Sequence, residues 1–413
     1  MKKSHAVVYS ALLLLLGSAC SQAQQGLTST GNGDFNAGSQ ALSDVRSAGI
    51  QRMPPCSARA TRLPRSIAGP CKPVSAGTQT QQLSNDLPRQ DDNAVYVEFV
   101  VPGFTNPSPL AINLFGAVTG VYTDTNGAFH GFVRSSLGTV TTFDGPDATC
   151  SPQSGDDFCT WPVGINLQGS IAGFYCDAVS CHGFLRAPGG TITAFDPPGS
   201  VFTAFTTGGI NLAGVITGAY YDANFLGHGF LRSARGTFTV FNAPGAVNGT
   251  FPAGINDAGE VVGQYYDANF GVHGFLRAPD GTMTSFDPTG SIYTSPTAIN
   301  LEGAVTGQWQ DPRLGLHGFL RSSDGTFTSF DVPGSDEPEP SAIDPAGTIA
   351  GSFYDMSGSH HGFVRASDGT FTAFDPPGSE GTSASAINAA GVVTGAYGDS
   401  NSIGHGYLRI PIL

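Results

Sequence analysis

Seven histidines are the first residues in this 413-residue chain with the means to do chemistry. His130, His182, His228, His273, His317, His361 and His405 each open a phrase of the form His-Gly-aromatic-aliphatic-Arg. An aspartate precedes each: Asp124, Asp177, Asp222, Asp267, Asp311, Asp355 and Asp399, six residues ahead or, in the second copy, five. An Asp beside a His suits general acid–base work or metal ligation. Its presence in every copy points the other way. A pair repeated seven times is expected to build the repeat, through an Asp–His hydrogen bond across a hairpin mouth. The Arg ending each phrase is expected to bond carboxylates or carbonyls. A sevenfold calcium or zinc array is the minor alternative, and calcium is the one cofactor left open. The sequence has no Gly-x-Ser-x-Gly elbow, no His-Glu-x-x-His and no phosphate-cradling loop. Its many Asp residues leave a glycosidase-type carboxylate pair open, but no spacing singles one out.

The elements that position these pairs follow from the period. The histidines are 52, 46, 45, 44, 44 and 44 residues apart. A period in the forties with strand-like content is the mark of a propeller. In the sixth copy, a short inner strand at Ser341–Ile343 leads into Asp344-Pro345-Ala346-Gly347, a type I turn. A second strand runs from Thr348 to Tyr354, and a third from His361 to Arg365. Asp368-Gly369 turns the chain into a fourth, Thr370 to Phe374. The strand glycines, such as Gly351 and Gly362, read as places where neighbouring blades approach closely. Ile-Asn or Ile-Asp inner strands occur seven times, but the Phe-Asp or Phe-Asn fourth strand follows only six of the phrases. The missing one stands at the other end, as Val95-Tyr-Val-Glu-Phe99. The expected fold is therefore all-β: a seven-bladed β-propeller of four-stranded blades, closed by the N-terminal strand pairing with the C-terminal blade.

The pattern Ile299-Asn300…Gly303-Ala-Val305-Thr-Gly307…His317-Gly-Phe319-Leu320, with equivalents in all copies, resembles the bacterial extracellular HAF repeats. The resemblance covers residues 95–413, with Gly where the family phrase has Ala. It implies a propeller-like fold and an exported location, and it brings no mechanism. Trp-Asp blade ends and paired kelch glycines are lacking.

Residues 1–23 read as a signal peptide, with Lys2 and Lys3 before the apolar run Ala6–Leu16. Two exits compete: soluble secretion at Ser21-Gln22-Ala23, or a lipoprotein box, Gly17-Ser18-Ala19-Cys20, with a lipid anchor at Cys20. A secreted or cell-envelope location, periplasm or outer surface, is expected either way. Six further cysteines suit an oxidising compartment, with Cys56–Cys71, Cys150–Cys159 and Cys176–Cys181 favoured by proximity. Residues 24–92 read as a loosely ordered linker and 93–413 as the propeller. The chain beyond residue 92 carries a net charge of −18 and no Lys. That makes nucleic acid an improbable partner and suits a soluble monomer.

Function is expected where the repeat varies. In an antiparallel blade, the loop between strands two and three and the loop joining successive copies share one face. That face carries the candidate binding residues Trp161, Phe202, Phe205, Phe225, Phe251, Phe270, Tyr293, Trp309 and Arg313. Plugging between blades is the competing role for the aromatics. The reading is an exported module that binds a protein or polysaccharide there. The alternatives are a polysaccharide hydrolase or lyase on the same scaffold, or a structural envelope protein.

Overall fold

The computed structural model describes Arg89–Gln90 and residues 93–149, 159–204 and 209–412. The signal region with Cys20, most of the linker, Cys56, Cys71, Cys150 and Phe205 lie outside the described residues. Every regular element among the described residues is a β-strand.

Each repeat copy folds into strands that pair with their sequence neighbours. In the sixth, Ser335–Ile343, Ile349–Asp355, His360–Arg365 and Phe371–Phe374 are antiparallel in that order. The first strand is longer than the sequence suggested. Pro338 and Pro340 sit within it, and its register shifts between Pro340 and Ala342. A proline has no N–H for a ladder, so an edge position with a bulge accommodates it. Four groups form separate four-stranded sheets. The fourth and fifth copies join as an eight-stranded sheet through one parallel pairing, Val272 with Tyr293. Arg89–Gln90, inside the expected linker, adds a fifth strand parallel to Phe371–Phe374. No sheet closes on itself among the described residues.

The strand glycines need correction. A side chain at Gly351 would meet the Glu339 carbonyl and the Phe363 ring, and one at Gly362 the Phe374 ring. All these partners belong to the same copy. The close approach is thus within a sheet: the phenylalanine of the fourth strand lies across the bare backbone of the third. Packing between copies is done by other residues. Phe132, Phe184, Phe230, Phe275, Phe319, Phe363 and Tyr407, the aromatic of each phrase, are fully buried. The fourth-strand phenylalanine packs on the aromatic of the next copy, as Phe143 on Phe184 and Phe374 on Tyr407. Each phrase Arg covers the same ring of the preceding copy, with Cζ 4.7–5.2 Å from its centroid. The Arg thus serves as a cation–π partner, and Nη1 donates to the next carbonyl in six copies.

The seventh copy has three strands of its own, Ser379–Ile387, Val393–Asp399 and Gly404–Pro411. Ala94–Phe99 pairs antiparallel with the last of them, Ala94 opposite Pro411 and Phe99 opposite Gly406. At the turn following the first strand, a buried Asn donates through Nδ2 to the main-chain carbonyl of its counterpart in the next copy. The links run Asn113 to Asn166, Asn166 to Asn211, Asn211 to Asn256, Asn256 to Asn300 and Asn300 to Asp344, at 2.9–3.4 Å. Asn388 donates to Asn113 at 3.0 Å.

Candidate functional site

The third strand opens with the phrase histidine, and its surroundings repeat closely. Nδ1 lies 2.7–2.9 Å from the residue that follows the fourth-strand phenylalanine: Asp144, Asp196, Asn242, Asp287, Asp331 or Asp375. In the seventh copy Glu98, from the N-terminal strand, takes that place at 2.7 Å from His405. Nε2 faces the preceding aspartate at 3.3–3.8 Å. One ring face is covered by Tyr122, Tyr175, Tyr220, Tyr265, Trp309, Phe353 or Tyr397, with centroids 4.8–5.4 Å apart.

The preceding aspartate also organises its own loop. Asp267 Oδ1, for example, accepts the N–H groups of Asn269 and Gly271. These N–H donors hold the Asp267 carboxyl below its ordinary value, and the same type of bond lowers Asp311 and Asp399. Asp144, Asp196 and Asp375, accepting from Nδ1, raise His130, His182 and His361 above the ordinary imidazole value despite burial. In the first six copies the histidine is therefore a strut. It ties the loop between strands two and three to the loop that leaves strand four. The sequence located the aspartate and missed the nearer partner, although its spacing of 14 residues after the histidine was there to find. Among the described residues no group of three or more His, Cys, Asp or Glu is placed to hold a metal ion.

The candidate binding residues fall into three groups. Trp161 is buried, against Phe129 at 5.4 Å and Phe174 at 6.4 Å. Phe251 lies between Tyr221 and Tyr266, and Phe202 against Tyr221. Trp309 covers His317 and donates through Nε1 to Ser329 Oγ at 2.9 Å. These four pack within or between copies. Tyr293 is half-buried at the start of its strand. Phe225, Phe270 and exposed Arg313 stand in loops between strands two and three. Phe225, Phe270 and the neighbouring Leu314 have φ of +59°, +62° and +71°. At the same loop position the first and sixth copies have Gly127 and Gly358, also at positive φ. A bulky side chain there carries strain on the order of 1–3 kcal/mol. Val201, Leu226, Val247 and Ile292, from the third to fifth copies and the loops around them, are exposed nearby in sequence. Cys176 and Cys181, opposite each other in register, form a disulfide at the mouth of the second hairpin. Cys159 is also disulfide-bonded.

No family model and no curated protein matches the chain. Solved structures do. The propeller domain of the Trilobed protease from Pyrococcus furiosus, described as having an open velcro topology, aligns with a TM-score of 0.54. Identity is 9%, over 76% of this chain and 97% of that one. A streptogramin B lyase aligns with a TM-score of 0.51 at 16% identity, over 76% and 97%. An acylaminoacyl peptidase from Pyrococcus horikoshii gives 0.53 at 11%, over 75% and 52%. The fold is a β-propeller.

In this propeller one seam between copies differs from the rest. Where the first and second copies meet, Phe129 packs on Trp161. Where the third and fourth meet, the Phe251 ring fills the space over Gly227. Where the sixth and seventh meet, the position held by Phe129 and Gly227 is His360, and across the seam stands Gly381. His360 stacks on Tyr354, with centroids 4.4 Å apart. Its Nε2 is buried, 3.5 Å from Glu339 Oε2, and makes no hydrogen bond. The asparagine link is also missing at this seam. Asp344 stands where the other copies have Asn, and a carboxylate has no N–H to donate. His360, Glu339 and Tyr354 were missed in the sequence. The signal there was departure from the repeat at the columns of His360 and Glu339, whereas Tyr354 shares its residue type with Tyr221 and Tyr266.

Proposed function

We propose that the chain is an exported, closed seven-bladed propeller of the HAF-repeat type that binds a protein or polysaccharide partner through its variable loop face. Three contacts support the ring: the pairing of Ala94–Phe99 with Gly404–Pro411, the Asn388 bond to Asn113, and Arg134 over Phe99 at 5.2 Å. The Cys176–Cys181 disulfide favours an oxidising compartment, hence export.

The observation that carries the binding role is the left-handed backbone at Phe225, Phe270 and Leu314. Three consecutive copies hold an apolar side chain where glycine is the unstrained choice. Strain kept on one face, in loops tied down by the histidine struts, is the signature of a surface held for contact. The test is a triple variant, Phe225→Gly, Phe270→Gly and Leu314→Gly. It should melt no lower than the wild type and lose most binding to a glycan array or to cell-envelope fractions. Undiminished binding would overturn the reading.

A further inference from the structure

We infer that the seam between the sixth and seventh copies holds a saccharide-binding site built from His360, Glu339 and Tyr354. It rests on the reading of the loop face as the binding face, but not on the apolar residues of the third to fifth copies. Tyr354 lies near the end of the second strand, His360 opens the third, and Glu339 stands at the middle of the first.

The repeat itself supplies the contrast. The column of His360 is otherwise Phe129, Cys181, Gly227, Val272, Leu316 and Gly404. The Glu339 column holds Ser108, Trp161, Ala204, Phe251, Ser295 and Ser383 in the other copies. Neither polar group is needed to build a copy. Burying an imidazole nitrogen 3.5 Å from a carboxylate, without a hydrogen bond, costs free energy that an apolar residue would not. Glu339 remains about one-third exposed, so the pair opens to solvent on the carboxylate side.

The chemistry selects the ligand. A carboxylate accepts two hydroxyls at once, and an imidazole adds a donor or an acceptor. Tyr354 provides an aromatic flank for C–H surface. Gly381, whose added Cβ would stand 4.0 Å from the His360 Cβ, leaves room that a side chain would fill. A carboxylate with no Lys or Arg in the set disfavours anionic ligands, so the saccharide is neutral.

The test uses an array of neutral oligosaccharides, followed by titration of the best binder, with the full exported chain. The variants are His360→Val and Glu339→Ser, residues that sister copies carry in those columns, and Tyr354→Gln, the residue of the fifth copy. Only variants with the wild-type melting temperature are compared. Loss of at least about tenfold in affinity in two of them is expected, as for removal of a hydrogen bond to a charged group. If the wild type binds a glycan and all three variants bind equally, this site is wrong and the loop-face reading stands. If the wild type binds no neutral glycan but captures a poly-arginine peptide, the seam is a cation site and the saccharide assignment falls. If neither binds and the triple-glycine variant matches the wild type on envelope fractions, both readings fall.

Discussion

The seam between the third and fourth copies and the seam between the sixth and seventh share one kind of apolar core and differ in the contact at the residue before the phrase histidine. In the first, Phe251 fills the space over Gly227 between Tyr221 and Tyr266. In the second, His360 stands opposite Gly381, beside Glu339 and Tyr354. The first also keeps its asparagine link, from Asn211 to Asn256 at 3.2 Å. The second keeps a different bond, from the Ala384 N–H to Ser352 Oγ at 2.9 Å. A repeat protein gains its core by stacking like faces, and this seam keeps that core, with Phe374 packed on Tyr407. The apolar core supplies the stability that lets the contact at His360 be polar.

Four outcomes would break or sharpen that comparison. The largest concerns what makes every seam a seam. Deleting residues 93–103 removes the strand opposite Gly404–Pro411 and the Phe99 ring under Arg134. Differential scanning calorimetry should show the melting temperature falling by about 10 °C or more, given several kcal/mol lost. An unchanged transition would end the closure model.

Next is Phe251→Ala, which empties the filled seam. Because Phe251 is only half-buried, urea titration should show a loss of about 2–3 kcal/mol, below the range for a fully buried Phe. His360→Val in the polar seam should be neutral or stabilising by up to about 1 kcal/mol, since it removes a buried nitrogen with no hydrogen bond. If both variants lose equally, the two seams are energetically alike and the contrast is empty.

The third and fourth outcomes turn on pH. His130, His182 and His361 are raised above 6.5 in the folded chain. Their stabilisation is full below that value and is lost as the pH rises through the raised ones. Asp267, Asp311 and Asp399 are lowered from 3.8, so theirs is present above that value and lost as the pH falls through the lowered ones. Melting temperature against pH should therefore form a plateau between about 4 and 6.5, falling on both sides. The smallest effect is a change within one strut. Asn242 is the one neutral partner of a phrase histidine, accepting from His228 at 2.9 Å. Asn242→Asp should add to stability at pH 5.5 and add less at pH 8.5. An equal gain at both would show that the strut does not titrate.

Much of this was legible in the sequence, because a repeat states its plan many times. The period, the turn chemistry of Asn300…Gly303 and its equivalents, and the displaced fourth strand Val95–Phe99 all carried through to observed strands and pairings. So did Cys176–Cys181, whose closeness in the chain is closeness across one hairpin. What was illegible was direction. Spacing placed a glycine near something but did not say whether a ring of its own copy or a neighbour would lie on it. It gave each histidine one carboxylate, because the nearer one stands a whole strand away. Trp161 and Trp309 could be read either as surface or as plugs between blades, because they fall near loops. Only the pleat decides which side of a strand a ring takes, and theirs faces other rings. His360 was hidden for another reason: it sits beside His361, and the repeated phrase draws the eye past it.

The chain of asparagine links has one further consequence. Each link is a donor in one copy held by a carbonyl in the next, so the chain of links has a sense of rotation and, at Asp344, an end. Under tension a necklace parts at its unclasped join. Pulled apart, the copies should yield first between the sixth and the seventh. A crosslink between those copies should raise the rupture force more than the same crosslink at any other join.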